Sequence, residues 1–431
     1  MICSNLENRA GTLYFGGCDT TALIERHGSP LYVMDEARIR YNCRTYLNAM
    51  REHLGSSARP LYASKAASFK RIYEIMHEEG MGIDVVSCGE IYTAYKAGFP
   101  LANAYFHSNN KTDADIAFAM EYGIGYFVAD NVEELNAVNR IAGQMDKEQK
   151  VLLRLTPGID PHTYAAVATG NVDSKFGSAI ETGQADEITA YALSLPNIHL
   201  AGFHCHVGSQ VFDSDVFLRA SDIMLDFVAE MQKKYNYLAE ELDLGGGYGV
   251  RYVESDPTID IAANIAEVAA HLKEKVAELG IALPAIRMEP GRSIVADAGL
   301  TLYRVGTIKK IPGYKNYVSV DGGMTDNPRF ALYGSRYTVL LANKLNEACD
   351  FDCSVVGRCC ESGDILQENV KLPTSVTRDD VLAVLTTGAY NYAMASNYNR
   401  IGRLPVVMVN DGADYLAVRR ESLDDIVRND I

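Results

Sequence analysis

From about Pro30 to Glu289 the chain alternates short β-branched or aromatic runs with longer stretches that read as helices. The runs fall at 60–63, 83–86, 104–107, 126–129, 151–155, 198–203, 241–244 and 286–289, and the longer stretches include 68–79, 112–122 and 215–235. Alternation of this kind predicts parallel β-α-β units. Eight such strands match the number that closes a (β/α)8 barrel, and a doubly wound open sheet is the alternative. After about Ile294 the texture changes. Short β-branched runs at 302–305, 317–320, 381–385 and 406–409 recur without long helices between them, and turn residues such as Asp321-Gly322-Gly323 and Asp411-Gly412 separate them. This pattern predicts an antiparallel β domain. The expected fold class is α/β. A (β/α)8 barrel spans 35–294, and a sandwich- or barrel-like β domain is built from 295–431 together with 1–34.

Composition narrows the range of functions. The 431 residues suffice for two or three domains at roughly 150 residues each, and 48% hydrophobic with 22% charged residues excludes a disordered polymer. Lys plus Arg total 40 against 56 Asp plus Glu, a formal charge of −16. That balance argues against general nucleic-acid binding and leaves any anionic substrate to a few placed arginines. No run approaches the roughly 20 apolar residues of a membrane span, and the first residues, Met1-Ile2-Cys3-Ser4-Asn5-Leu6-Glu7, carry no secretion leader. Nine cysteines without a C-x-x-C pair fit a reducing interior. The expectation is therefore a cytoplasmic protein with no membrane and no nucleic-acid partner.

In a barrel, chemistry gathers where the strands end at their C-terminal side, because the following loops converge there. Those positions hold Lys65, Arg154, His204-Cys205-His206, Gly245-Gly246-Gly247 and Glu289-Pro290-Gly291-Arg292. His204 and His206 are expected to point to opposite faces, at least one of them as a packed or hydrogen-bonded core histidine. That makes a poor metal pair, and no metal is expected. Three successive glycines mark a tight turn, or bare N–H groups that a phosphate can approach. Gly291-Arg292 offers a second phosphate contact. A lysine combined with a phosphate grip and a carboxylate suits pyridoxal phosphate: the amine bonds the aldehyde, the phosphate anchors, and the carboxylate holds a proton on the ring nitrogen.

Specific segments carry a resemblance. Tyr62-Ala63-Ser64-Lys65-Ala66, Phe203-His204-Cys205-His206-Val207-Gly208-Ser209-Gln210, Leu244-Gly245-Gly246-Gly247 and Glu289-Pro290-Gly291-Arg292 are similar to the pyridoxal-phosphate decarboxylases of the alanine-racemase fold. Further matches are Ser87-Cys88-Gly89-Glu90, Asn109-Asn110-Lys111, Ser174-Lys175-Phe176-Gly177, Asp326-Asn327-Pro328-Arg329, Cys360-Glu361-Ser362-Gly363-Asp364 and Ala395-Ser396-Asn397-Tyr398-Asn399. Over about Pro30 to Arg420 the chain resembles the diaminopimelate decarboxylase family within that group, whose members make L-lysine and carbon dioxide from meso-diaminopimelate.

The resemblance implies pyridoxal 5′-phosphate bonded to Lys65, with His206 stacked on its ring and Glu289 paired with its ring nitrogen. Asp84 and Arg154 are implied as further cofactor contacts, and Ser209, Gly246, Gly247, Gly291, Arg292 and Tyr390 as the phosphate's surroundings. Cys360 resembles the proton donor. Arg292, Arg329, Tyr333, Glu361 and Tyr390 match residues that hold the substrate, the distal carboxylate calling for a bidentate arginine and its ammonium for Glu361. The family implies a homodimer in which the loop of Cys360 and Glu361 reaches the partner's barrel. Arg358-Cys359 stands where the family has Pro and an aliphatic residue, Ala67 where Asn is frequent, and Asn391 where Gly commonly follows the tyrosine. Two other readings remain open: decarboxylation of carboxynorspermidine, arginine, ornithine or a D-amino acid, and a catalytically silent homologue.

Overall fold

The computed structural model describes residues 2–159 and 174–431. Two compact units emerge. One comprises Cys43–Gly249 and Thr258–Gly291, the other Met1–Asn42, Val250–Pro257 and Arg292–Ile431.

The first unit is a closed parallel barrel. Its strands are β1 (Arg59–Ala63), β2 (Gly82–Val85), β3 (Ala104–Phe106), β4 (Tyr126–Ala129), β5 (Gln149–Thr156), β6 (Ile198–His204), β7 (Glu241–Asp243) and β8 (Ala285–Met288). Each pairs in parallel with its neighbours. Pairing of β8 with β1 (Arg287 opposite Arg59) and of β4 with β5 closes the ring, which rules out the open-sheet alternative. The strands read as near-continuous apolar runs because both faces are covered, by the barrel interior and by the outer helices. Those helices have ordinary local causes. Thr112 and Asp115 form a reciprocal capping box at the start of Asp113–Glu121, and Gly80 and Gly280 end their helices in the left-handed region.

Inside the barrel, Leu61, Tyr105, Val128, Leu152 and Ala201 pack together. At the N-terminal side, the Arg287 guanidinium donates to Glu241 at 2.6 Å, and the hydroxyls of Tyr105 and Tyr126 donate to the same carboxylate at 2.8 and 3.1 Å. The two tyrosine rings stack at 4.2 Å. With three donors on its two oxygens, this buried carboxylate rigidifies the floor instead of costing stability. Gly202 has no room for a side chain, since a Cβ there would lie 1.8 Å from the Glu241 carbonyl oxygen. Gly202→Ala is therefore expected to destabilise the protein by roughly 3 kcal/mol or more, read as a shift in the urea midpoint at unchanged slope.

The second unit differs from expectation. It contains a nine-stranded sheet that is mixed, not antiparallel, beside a small three-stranded sheet of Leu6–Arg9, Thr12–Phe15 and Cys18–Asp19. Leu31–Asp35 pairs in parallel with Val406–Asn410, and Asn316–Val320 with Phe351–Val356. Local β-branched runs announce strands but not the direction of their partners, so two parallel pairings between distant segments were invisible in the pattern. Leu31–Asp35 also pairs antiparallel with Gly299–Lys310, which places the N-terminal segment in this unit's sheet.

Candidate active site

The C-terminal rim of the barrel gathers an unusual density of buried ionisable groups. Lys65 lies in the single turn Ser64–Ala66 directly after β1, and Asp84 is the penultimate residue of the four-residue strand β2. Arg154 comes from β5, His204 ends β6, and Glu289 follows β8. The Lys65 ammonium acts electrostatically on Asp84, Glu90, His204 and His206. The sequence-expected amine, histidines and carboxylates thus share one rim.

Glu289 is the centre of the group. His204 Nε2 lies 3.1 Å from its Oε2, and His107 Nε2 lies 2.7 Å from its Oε1. The His107 contact is close but lacks hydrogen-bond alignment, and Oε1 has no hydrogen-bond partner among the described residues. Burial pushes the Glu289 carboxyl up, but the two histidines more than offset this and hold it well below the usual carboxylate range. Burial pushes both imidazoles down, against the opposing pull of Glu289. Asp84, 4.0 Å from His107 Nε2, is pushed up to about 6 by burial and by Glu289, against the opposing pull of His107 and Lys65. Asp243 is pushed far above its range by burial and by Glu289, while its Oδ1 accepts from the Gly245 N–H at 2.8 Å.

His206 lies beyond the end of β6, where strict alternation no longer governs direction. Its Nδ1 accepts from the Gly246 N–H at 3.3 Å, and burial with Lys65 and Arg154 pushes the ring well below its ordinary range. His204, buried and hydrogen-bonded to Glu289, is the hydrogen-bonded core histidine expected of at least one of the two. His107 was missed altogether. It directly follows β3, the position that singled out Lys65 and Glu289, and the same rule applied to the run 104–107 finds it.

The glycines have a packing reason beside the phosphate one. A Cβ on Gly246 would lie 2.0 Å from the Glu289 carbonyl oxygen, and one on Gly247 would lie 2.5 Å from that of Gly208. Gly245 takes a positive φ, +69°, with Cys205 and His206 where a side chain would go. Gly291 sits against Ala63 and Ala66, and Ser209 is half-buried in the loop after β6. Two other matched segments brace this rim. Buried Lys111 donates to Glu134 at 2.7 Å and to the Val128 carbonyl, and Asp130 accepts from the Gly177 N–H. Arg154 lies over the Phe176 ring at 4.3 Å.

The β unit holds the remaining expected residues. Arg292 donates to the Tyr252 hydroxyl at 2.6 Å and lies 4.9 Å over the Tyr390 ring. Arg329, which opens the short helix Arg329–Tyr333, lies 5.3 Å over the same ring and 5.1 Å over that of Tyr333. It is buried, and its Nε has no hydrogen-bond partner among the described residues. Cys360 and Glu361 are exposed on one loop, with the Cys360 N–H bonded to Asn399 Oδ1 at 2.8 Å. Asp364 ties the loop base through the N–H groups of Cys359 and Met324. Burial and Asp364 push the Cys359 thiol up to about 11, which makes it a poor proton donor near neutrality, and Arg358 is exposed.

The barrel rim fits pyridoxal phosphate on its own geometry. A buried acceptor without a donor costs about 1–3 kcal/mol, and Glu289 Oε1 is an acceptor that a protonated ring nitrogen would satisfy. Lys65 supplies an amine on the same rim.

Comparison with known proteins agrees. Residues 37–296 match the family model for the pyridoxal-dependent decarboxylases, pyridoxal binding domain. A diaminopimelate decarboxylase of Bacillus methanolicus is 44% identical over 416 residues, 96% of each chain, and one of Bacillus subtilis is 43% identical over 99% of this chain and 96% of its own. A crystal structure of diaminopimelate decarboxylase from M. jannaschii in complex with L-lysine superposes with a TM-score of 0.92 at 32% identity. It covers 100% of this chain and 98% of that one. With this identity and this fold over almost its full length, the chain belongs to the diaminopimelate decarboxylase family of pyridoxal-dependent enzymes.

Proposed function

We propose that the protein decarboxylates meso-2,6-diaminopimelate to L-lysine and carbon dioxide with pyridoxal 5′-phosphate as cofactor. The observation that carries this reading is the buried Glu289 carboxylate, held ionised with one oxygen unsatisfied, on the rim that also presents Lys65. When bound, the cofactor supplies a protonated ring that accepts the electron pair left on Cα as carbon dioxide departs. Glu289 keeps the proton at the ring nitrogen; a cationic residue there would suppress the sink. Lys65 would hold the cofactor's aldehyde through its amine. His206 would pack on the ring, with Asp84 and Arg154 as further contacts, and Ser209, Gly246, Gly247, Gly291, Arg292 and Tyr390 would hold the phosphate.

At the substrate's far end, Arg329 pairs with the distal carboxylate, supported by Arg292, Tyr333 and Tyr390, and Glu361 meets its ammonium. The unpartnered buried Nε of Arg329 supports this role. Cys360 delivers the proton that replaces the lost carboxylate, and the high thiol pKa of its neighbour Cys359 favours Cys360 for the task. A homodimer is the proposed assembly. The exposure of Cys360, Glu361, Leu332 and Tyr333 leaves these residues open to a second copy, which supports this assembly. Among the described residues no helix is long and apolar enough to cross a membrane, and a cytoplasmic location is proposed.

Removing the distal clamp tests the substrate. In Arg329→Met, kcat/KM for diaminopimelate is expected to fall by about 2–5 kcal/mol of binding, roughly thirty- to several-thousand-fold. The overall reading is tested by carbon dioxide release across meso-diaminopimelate, ornithine, arginine, carboxynorspermidine and D-amino acids. Release from diaminopimelate with matching L-lysine is expected. Release only from another member would reassign the substrate, and release from none by cofactor-loaded protein would indicate a silent homologue.

A further inference from the structure

The arrangement around Glu289 goes beyond a carboxylate facing a ring nitrogen. We propose that His204, aided by His107, is a positioning residue that fixes Glu289 as an anion with Oε1 presented to the cofactor, so that the shared proton resides on the ring nitrogen and not on the carboxylate. This inference rests on the cofactor role proposed above and extends it to two residues that do not touch the reacting atoms.

Three observations carry it. First, one ring nitrogen each of His107 and His204 and one carboxylate oxygen of Glu289 lie within 4.8 Å of one another, and all three residues are buried. His204 Nε2 is aligned on Oε2 at 3.1 Å, whereas His107 Nε2 approaches Oε1 at 2.7 Å off the hydrogen-bond line. One oxygen is therefore fixed by a donor while the other is crowded yet left with an open lone pair. Second, His204 Nδ1 is buried and has no hydrogen-bond partner among the described residues. An orphaned nitrogen in a core is a cost that a phenylalanine or leucine would avoid, and the bond made by the other nitrogen is what offsets it. With Nε2 turned to the carboxylate, that nitrogen carries the proton. Third, the His107 and His204 rings meet edge to face at 4.9 Å, so each ring limits the rotation of the other toward it.

The chemistry follows from competition for one proton. A carboxylate that accepts hydrogen bonds is a weaker base, so between it and a pyridine nitrogen the proton lies on nitrogen. Burial pushes both imidazoles below their ordinary range although Glu289 pulls the other way, which limits their own hold on the proton. Facing the cluster are Asp84, 4.0 Å from His107, together with Asp243, Lys65 and Arg154.

The test replaces His204 with Phe or Gln and His107 with Leu or Gln. Glutamine keeps a donor near the Nε2 position, and the apolar residues do not. Each protein is loaded with pyridoxal phosphate labelled with 15N in the ring, and the ring-nitrogen chemical shift is followed against pH alongside kcat and KM. The native protein is expected to hold the ring nitrogen protonated through neutral pH. H204F is expected to lower that titration by about a unit and kcat by about tenfold, the factor one unit corresponds to, with KM little changed. H107L should move both less, the double variant more, and H204Q should recover most of the native shift. A protonated ring at neutral pH in H204F/H107L with native turnover would overturn the proposal. So would equal losses in H204F and H204Q, or a stoichiometric transition metal held by the three residues. If H204F fails to fold, the H204Q and H107L titrations decide the same point. Failure of the native protein to take up the cofactor would instead strike the underlying functional reading.

Discussion

Replacing Lys65 with Ala is expected to abolish turnover, on the order of 10⁴-fold or more, as removal of a covalent nucleophile does elsewhere. It should leave the fold intact. The side chain projects from the exposed middle of a three-residue turn, whereas its neighbours Ser64 and Ala66 are buried. Unfolding by urea should therefore match the native protein, while the absorbance of the lysine-bonded cofactor disappears. Phosphate and ring contacts remain in this variant, so cofactor is still expected to bind, reversibly and with the spectrum of a free aldehyde. Full activity in Lys65→Ala would remove the amine from the mechanism.

Glu289→Gln has the second largest expected effect, a fall in kcat on the order of 10³-fold, comparable with losing a preorganised electrostatic group. Glutamine keeps the shape and can still meet His204, but it no longer carries the charge that pins a proton on the ring. The histidines hold the carboxyl below its usual range, so at neutral pH the anion adds stability that a neutral amide forgoes, and the thermal midpoint is expected to fall modestly. A variant that still binds cofactor and turns over at the native rate would remove the Glu289 charge from the mechanism.

Much of this was readable along the chain. The eight barrel strands were legible because a strand covered on both faces is a short apolar run between helical stretches, and every predicted run overlaps an observed strand. Lys65 and Glu289 were legible because they end or follow strands on the rim. His107 obeys the same rule, yet a histidine closing the apolar run 104–107 was taken as part of the strand. His204 and His206 were expected on opposite faces, although alternation puts residues two apart in a strand on the same face; in the structure β6 ends at His204, and His206 lies in the loop beyond it. The partners of Glu289 were illegible for another reason: β3, β6 and β8 contribute one residue each, and only barrel closure brings them within bonding distance. The direction of pairing in the second sheet was also hidden, since Asn316–Val320 and Phe351–Val356 read alike whether parallel or antiparallel.

Borohydride reduction of the cofactor-loaded protein, followed by proteolysis and mass spectrometry of the peptides, tests the central claim most directly. The account predicts one modified site, with the reduced cofactor's mass on the peptide carrying Lys65. The same mass on another lysine, or on none, would contradict it.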